Sequence, residues 1–382
     1  MEKKKKLGVY WIAVIALLIL SIILNLLAFI KPFANFYADS FYPILVNVMG
    51  PLNNWSKVAF GELLMYFAAV VLIIEVLAAI LLIFLRKKKL YKKFVKVFSK
   101  FTLFLAVLTL FLFTFTWLVP IRADHADTFH ASGREYTFSD IETLRNFLVF
   151  KTNYLASLVE REESGRLVYD ENVEAKIVEA VKSKSDTYPR LKGFYGRPKN
   201  ALCSDILEWS GIGGYTYVYT KEVSINKYTS RFYFPSLYSH ELAHYKGYFK
   251  ESEANFLSYV TMDESGDAFL AYVANVEMYY QYVEEAYENA LLATYSEENI
   301  EEAVMHFLEQ PQMYPIVWED LNESWQESQE LYEAEEHPAE VVSETVDEVA
   351  DYGWEAQDAI LKEDNYDGVI IMLLEYYDGI LY

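Results

Sequence analysis

Two of the six histidines in the chain lie four residues apart, in Ser239-His240-Glu241-Leu242-Ala243-His244. Residues four apart on a helix share a face, so both imidazoles can reach one metal ion. Glu241 lies between them, where its carboxylate can take a proton from a water molecule at the metal. This H-E-x-x-H spacing predicts a site for one zinc ion, with His240 and His244 as ligands and Glu241 as general base.

A third ligand is expected shortly after this helix. Gly247 suits a left-handed turn at the helix end, after which the chain can double back and offer Glu251. If Glu251 begins a new helix, Asn255 lies one turn later on the same face and can orient a ligand histidine. Two histidines and one glutamate leave an open position for water, which is the pattern of catalytic zinc. Glu253 is the alternative third ligand; Glu251 is preferred because only it has Asn255 four residues further on.

The block from His240 to Phe256, with H-E-L-A-H, Gly247 and E-S-E-A-N-F, resembles the signature of a bacterial membrane-protein family. That family is a domain of unknown function within the zincin metallopeptidase superfamily. The resemblance implies N-terminal transmembrane helices followed by an exported α-rich domain that hydrolyses peptides. E-x-x-A-N is also similar to the gluzincin motif, in which the first Glu binds zinc. The short glycine-containing link is more similar to metzincins, so Glu253 stays open as the alternative.

The superfamily resemblance further implies that Tyr215–Ile225 contains the edge strand just before the metal-binding helix. Such a strand can hold an extended peptide by β-augmentation. An ordinary half-buried hairpin is the equal alternative. Sequence proximity alone suggests several donors to a developing oxyanion, namely Tyr245, Tyr248, Tyr279, Tyr280 and Tyr282.

Three long apolar runs occupy the first 119 residues, at Gly8–Ile30, Gly61–Leu85 and Phe101–Val119. Each has about the 20 residues that a helix needs to cross the hydrocarbon core of a bilayer. The first run is too long for a cleaved signal peptide, so it is interpreted as a signal anchor. Glu75 lies midway along the second run; an ion relay and an interhelical packing contact are the alternatives, and packing is preferred.

Lysine and arginine cluster on one side of these spans, at Lys3–Lys6 and in the stretch Arg86–Lys100, whereas the 31–60 loop carries only Lys31 and Lys57. Basic residues are retained in the cytoplasm. We therefore expect a multi-pass protein of the bacterial cytoplasmic membrane with its N-terminus inside and residues 120–382 outside.

Charge differs sharply between the two parts. Residues 1–119 carry 14 Lys and Arg against 4 Asp and Glu, and residues 120–382 carry 19 against 51. The acidic part excludes a nucleic-acid partner, because phosphate contacts need a basic face. The 53% hydrophobic content excludes disorder, and a single cysteine, Cys203, excludes a disulfide framework.

Residues 120–382 are predicted to be mainly α with a small antiparallel sheet. The sequence Ser139-Asp140-Ile141-Glu142 indicates a capping box at the start of a helix that extends to about Glu163. Strands are expected at Tyr215–Thr220 and Glu222–Ile225, with Arg231–Phe234 pairing back on them. Apolar spacing predicts later helices, listed by number: 251–263, 267–292, 298–309, 316–335, 339–362 and 366–379.

The leading hypothesis is a membrane-anchored zinc metallopeptidase whose partners are a peptide or protein substrate and the lipid bilayer. The alternative from another class is a metal-binding, non-hydrolytic envelope scaffold or sensor. A transporter, resting on Glu75 alone, is the weakest of the three. The two main hypotheses differ in Glu241, because a binding module does not require a general base. The sequence leaves the substrate and the oligomeric state open.

Overall fold

Helices dominate the residues that the computed structural model describes, which are 8–85, 87–123, 129, 134–295, 299–337 and 365–382. The chain divides into two compact units. The first unit is Met1–Asp124 with Tyr217–Glu222, and the second is His125–Thr216 with Val223–Tyr382. The segment Tyr217–Glu222, which is far from the N-terminus in the sequence, therefore belongs to the first unit.

The first unit contains the three apolar helices that the sequence predicts. Its helices are α1 (Val9–Ala28), α2 (Lys31–Phe36), α3 (Tyr42–Asn53), α4 (Phe60–Leu85) and α5 (Lys89–Phe113), with π-helical turns at Tyr37–Phe41 and Thr114–Leu118. Helices α1 and α4 and the continuous span Lys89–Arg122 are long and apolar enough to cross a membrane.

Two predicted loops of this unit are helical instead. The basic stretch 86–100 is helix from Lys89 onward, because lysine is a good helix former and Lys89, Lys92, Lys93 and Lys96 are all exposed. The 31–60 loop holds α2 and α3, so only short links connect it to α1 and α4.

Glu75 of α4 is bonded to the neighbouring helix. Its carboxylate oxygens accept hydrogen bonds from the hydroxyls of Ser99, at 2.5 Å, and Thr102, at 3.0 Å, both on α5. Polar side chains that pair across apolar helices hold them together. The contacts of Glu75 are those of the packing alternative.

The rest of the described chain consists of many short helices and three strands. They are α6 (Phe138–Ala156), α7 (Val173–Ser183), β1 (Pro198–Asn200), α8 (Ser204–Trp209), β2 (Gly214–Tyr217), β3 (Glu222–Ile225), α9 (Phe234–Tyr245), α10 (Glu251–Asp263), α11 (Ala268–Met278), α12 (Glu284–Tyr295), α13 (Ile300–Glu309), α14 (Pro315–Glu333) and α15 (Asn365–Tyr376). A π-helical turn, Tyr279–Val283, joins α11 to α12. The helices from α10 onward follow the predicted apolar runs, and the run 339–362 lies outside the described residues.

The small sheet is mixed rather than antiparallel. Its strand order is β1-β3-β2, and β1 is parallel to β3 with Pro198 opposite Val223. The sequence missed β1, which is too short to show an alternating pattern. The predicted pairing of Arg231–Phe234 is wrong, because Phe234 begins α9 and Pro235 favours the first turn of a helix.

Helix α6 begins earlier and ends earlier than predicted. Its N-cap is Thr137, whose main-chain N–H and side-chain hydroxyl both donate to Asp140 Oδ2 at 2.8 Å. The sequence predicts a capping box at Ser139 and Glu142. The observed capping box is formed by Thr137 and Asp140, which have the same spacing of hydroxyl and carboxylate two residues upstream. The helix ends at Ala156.

Helices α9, α10, α11 and α15 contribute a shared apolar core to the second unit. Leu242, Leu257, Val273 and Leu373 are each at most 2% exposed. Burial of each such side chain is worth about 1.5–3 kcal/mol. This core holds the helices that carry the predicted ligands in a defined position.

Candidate metal centre

Helix α9 carries both predicted histidine ligands on one face. Its opposite face is buried through residues such as Tyr238 and Leu242. His240 and His244 remain partly exposed, with their rings 4.5 Å apart and perpendicular. The four-residue spacing thus places the two imidazoles side by side, as the sequence predicts.

A tight turn follows α9 and reverses the chain. Gly247 has a φ of +94°, the left-handed conformation that glycine adopts without strain. Gly247 N–H donates to the carbonyl of His244 at 2.9 Å, and Tyr248 N–H donates to that of Ala243 at 3.0 Å. These two bonds form a Schellman motif. Helix α10 then begins at Glu251, as predicted.

The turn brings Glu251 against both histidines. Its Oε2 lies 3.2 Å from His240 Nε2 and 3.4 Å from His244 Nε2. Among the described residues, these three side chains form a group whose ligand atoms all lie within 4.8 Å of one another. Glu253, the alternative ligand, is buried on α10 and is not part of the group. Two imidazole nitrogens and one carboxylate oxygen are a donor set that suits zinc with an open coordination position.

Electrostatics favour a charged Glu251. Burial alone raises its pKa, but His244 and His240 hold the pKa of this carboxyl well below its usual value. The N-terminus of α10 also favours a negative charge at this position. Burial lowers the pKa of His244, yet the facing Glu251 carboxylate raises it to about 9. A bound cation would replace the proton on this imidazole.

The second ring nitrogen of His244 is held by the main chain. His244 Nδ1 lies 2.8 Å from the carbonyl oxygen of Tyr248, which can only accept a hydrogen bond. Nδ1 is therefore the protonated nitrogen, and in the neutral ring Nε2 keeps its lone pair toward Glu251. The sequence does not predict this contact, although Gly247 indicates the turn that produces it.

Glu241 is buried beside the two histidines and only 3% exposed. Burial raises the pKa of its carboxyl, while the nearby His244 and His240 lower it. The hydroxyl of Thr216, on β2, lies 2.9 Å from both the main-chain oxygen and Oε2 of Glu241 and donates to them. Thr216 was not predicted, because its contact with Glu241 depends on how β2 packs against α9.

Gly214 allows β2 to lie close to both β3 and α9. A Cβ atom at this position would be 2.8 Å from the carbonyl oxygen of Ser224 and 3.3 Å from Glu241 Cγ. The first of these distances is shorter than a van der Waals contact with a fixed main-chain atom. A glycine is thus required where the strand passes the buried carboxyl.

A small cavity of about 20 Å³ lies beside His240. Its lining includes Asn255, the predicted orienting residue, together with Ser236, Glu277 and Tyr282. No hydrogen bond joins Asn255 to His240 within the described part of the chain, so its predicted role stays a prediction. Burial raises the pKa of the Glu277 carboxyl to about 7.

Residues 37–334 match the model of the family described as "Protein of unknown function (DUF3810)". The chain belongs to this family. The match spans most of the chain, from the π-helical turn before α3 to the end of α14, and includes all three residues of the metal-ligating group. Neither a curated protein nor a solved structure matches the chain.

The tyrosines suggested as oxyanion donors lie in different surroundings in this DUF3810 member. Tyr245 and Tyr248 are buried, and Tyr280 is 51% exposed. The hydroxyl of Tyr279 accepts a hydrogen bond from Arg145 at 3.0 Å. Tyr282 lines the cavity beside His240. Tyr282 is therefore the member of this set that shares a cavity with a residue of the metal centre.

Proposed function

We propose that this protein is a membrane-anchored zinc metallopeptidase that hydrolyses peptide bonds outside the cytoplasmic membrane. The observation that carries the proposal is the convergence of Glu251 Oε2 with both Nε2 atoms of His240 and His244, beside the buried carboxyl of Glu241. The spacing of these residues is that of a zinc-dependent hydrolase.

His240, His244 and Glu251 would hold the metal. A zinc ion supplies a Lewis acid that polarises a carbonyl and lowers the pKa of water. The hydrogen bond that His244 Nδ1 donates to the Tyr248 carbonyl would keep the ligand nitrogen of that ring turned toward the ion. The negative charge of Glu251 offsets part of the positive charge of zinc.

Glu241 would move the proton. It accepts one proton from the attacking water, whose oxygen forms the new bond to the peptide carbonyl carbon. It then delivers that proton to the amine nitrogen as the C–N bond breaks. Burial raises the pKa of Glu241, which makes the protonated form accessible during this cycle. Thr216 holds Oε2 by its hydrogen bond, so the carboxyl keeps one orientation.

Strand β2 offers a surface for an extended substrate. It lies at one edge of the sheet in the order β1-β3-β2, and it carries Thr216. A peptide that pairs with this edge by β-augmentation would run past Glu241. This arrangement supports the edge-strand interpretation over an ordinary hairpin.

The three apolar helices would anchor the protein in the membrane. Helices α1, α4 and the span Lys89–Arg122 are long enough to cross it. The lysines between α4 and α5 would keep that link in the cytoplasm, so the second unit lies on the outer side.

The proposal is tested with the purified full chain in detergent. Stoichiometric zinc is expected, together with cleavage of a peptide library. His240→Ala should lose the zinc, whereas His306→Ala, which removes a histidine outside the group, should keep it. Glu241→Gln should keep the zinc and abolish cleavage, because the amide cannot accept a proton.

Two results would contradict the proposal. If the unmodified chain binds no zinc, the metal centre is wrong. If it binds zinc but cleaves no member of the library, the non-hydrolytic scaffold or sensor becomes the better function.

A further inference from the structure

Glu277 brings a carboxyl into the interior next to the proposed metal centre. It lies on α11 and lines the cavity that His240 also lines. Its buried Oε2 atom and the Ser236 hydroxyl, which lines the same cavity, form no hydrogen bond of ordinary geometry with any described residue, although Ser236 is close enough to lower the pKa of the Glu277 carboxyl. A buried carboxyl oxygen that lacks a full hydrogen bond destabilises a fold, so its presence calls for a compensating role.

The two histidines differ in what holds their second nitrogen. His244 Nδ1 is bonded to the Tyr248 carbonyl, but His240 Nδ1 makes no hydrogen bond with any described residue. Histidines that bind metals almost always donate this second N–H to a carboxylate, a carbonyl or a water molecule. Among the described residues, His240 therefore lacks the second partner that His244 has.

The cavity has the size and the polarity to supply that partner. About 20 Å³ is enough for one water molecule, which needs two to four polar neighbours. Glu277, Ser236 and His240 all line it and carry side-chain polar atoms that can bind such a water molecule. A carboxylate at the end of this chain of bonds also favours donation from His240 Nδ1, which leaves Nε2 unprotonated for the metal.

We propose that Glu277 is a positioning residue that orients the His240 imidazole for metal binding through the cavity the two side chains share. This inference rests on the proposed zinc centre. It gives Glu277, rather than the sequence-predicted Asn255, the main part in holding His240, because Glu277 is the acidic residue of the cavity lining and carboxyl groups commonly accept the second N–H of metal-binding histidines.

The test compares zinc affinities of the full chain in detergent, measured by competition with a chelator. Glu277→Met should lower the affinity about 10- to 100-fold, and Glu277→Gln, which keeps the shape, should lower it less. Asn255→Ala should lower it less than Glu277→Met does. Glu285→Gln, which changes an exposed carboxyl on α12, is the control and should leave it unchanged.

A second measurement separates positioning from a structural role. Glu277→Met should keep or raise the melting temperature of the metal-free protein, because it removes a buried carboxyl with incomplete hydrogen bonding. In the cobalt-loaded variant the visible absorption bands should shift, since they report ligand geometry. Equal zinc affinity in Glu277→Met and the unmodified chain would overturn the role of Glu277 and leave the proposed metal centre intact. Absence of zinc from the unmodified chain would overturn both the metal centre and the role of Glu277.

Helix α3 of the first unit carries an exposed apolar stripe. Ile44, Val48 and Leu52 lie along one side of this helix at four-residue spacing and are 58%, 54% and 60% exposed. Trp55 continues the stripe and is 72% exposed. An apolar stripe of this kind normally packs against another apolar surface.

The opposite side of α3 is covered by the protein. Tyr42 is buried, and the buried ammonium group of Lys221 lies 3.8 Å from the centre of its ring. Asn53 Nδ2 donates to the carbonyl of Thr220 at 2.6 Å. The segment Tyr217–Glu222 thus packs on the inner side and leaves the apolar stripe facing outward.

We infer that this stripe lies in the lipid at a membrane–water boundary, which is the outer one in the proposed topology. Lipid is the expected environment of the stripe because α3 lies close in the chain to the apolar helix α4. Only residues 54–59 separate the two helices, and six residues span no more than about 20 Å. Helix α3 carries no charged side chain that would resist the apolar phase. An exposed tryptophan at its end is typical of this boundary.

Spin labels test this placement in phosphatidylethanolamine–phosphatidylglycerol liposomes. In a Cys203→Ser background, a label at Val48→Cys should be accessible to oxygen and protected from a water-soluble nickel reagent. A label at Lys57→Cys, on an exposed basic position, should show the reverse. Nickel access at position 48 would contradict the inference, and so would protection from both reagents, which would indicate a covering protein surface.

Discussion

A single carboxylate decides how the candidate centre is assembled. Glu251 faces both histidines because it is the first residue of α10, immediately after the turn at Gly247. Glu253 is two residues further along the same helix, where side chains point in a different direction. The direction in which each side chain leaves the helix therefore distinguishes Glu251 from Glu253, which the sequence presents as alternatives.

Substitution of these two glutamates should have opposite effects on zinc. Glu251→Gln is expected to lose stoichiometric zinc, since it removes the charged donor, whereas Glu253→Gln should retain it. Metal analysis of the purified full chain measures both. Retention of zinc by Glu251→Gln with its loss from Glu253→Gln would reverse the ligand assignment.

At the scale of elements, the turn between α9 and α10 links stability to the metal centre. Gly247 adopts a left-handed conformation there, and Gly266 does so after α10, where a Cβ would meet no atom within 4 Å. The two glycines have similar backbone requirements and different surroundings, so they form a matched pair.

Gly247→Ala and Gly266→Ala should each cost about 1 kcal/mol of unfolding free energy, because alanine is strained in this region. Only Gly247→Ala should also lower zinc affinity, since it moves the Tyr248 carbonyl away from His244. Denaturant unfolding and chelator competition measure the two effects. Equal zinc affinity in both variants would show that the turn does not hold His244.

The N-terminus of α6 should make stability depend on pH. The hydrogen bond from the Thr137 main chain lowers the pKa of Asp140 below its usual value, against the opposing effect of burial. A lowered folded pKa means that the stabilisation is present above the unfolded value of about 3.9 and is lost as the pH falls through the folded pKa.

Asp140→Asn should therefore cost about 1 kcal/mol at pH 7, and the difference from the unmodified chain should shrink below pH 4. Denaturant unfolding of the full chain at pH 3 to 7 measures it. Glu135→Gln, at a nearby exposed position, serves as the control. A difference that is constant with pH would contradict the role of the charged carboxylate.

At the scale of the whole molecule, charge divides the chain into a basic N-terminal part and an acidic remainder. The sequence after position 250 carries 34 acidic residues against one lysine. Among the described ones, Glu285 on α12 and Glu319 on α14 are exposed, which suits a solvated surface. The lysines around the spans instead set the expected orientation in the membrane.

Cysteine labelling tests that orientation in intact cells. The natural Cys203 is partly exposed and should react with a membrane-impermeant maleimide from outside. In a Cys203→Ser background, Lys92→Cys should react only after the membrane is permeabilised. Labelling of position 92 in intact cells would place the basic stretch 86–100 outside the membrane and invert the topology.

The sequence alone determined the local features of this protein. The spacing of His240 and His244 defined a shared helix face, Gly247 indicated the turn, and hydropathy marked the three apolar helices. The later helices also followed their apolar spacing, with α10 beginning and ending where predicted. Each of these properties depends on residues within one or two turns of one another, so a linear pattern carries it.

Only the tertiary structure decided which distant residues meet. It brought Thr216 to Glu241 and Glu277 to the cavity beside His240, placed β1 next to β3, and assigned Tyr217–Glu222 to the N-terminal unit. These contacts join residues that are far apart in the sequence and arise from packing of whole elements. No periodicity or spacing records them, because burial and hydrogen bonding are satisfied by the folded chain as a whole.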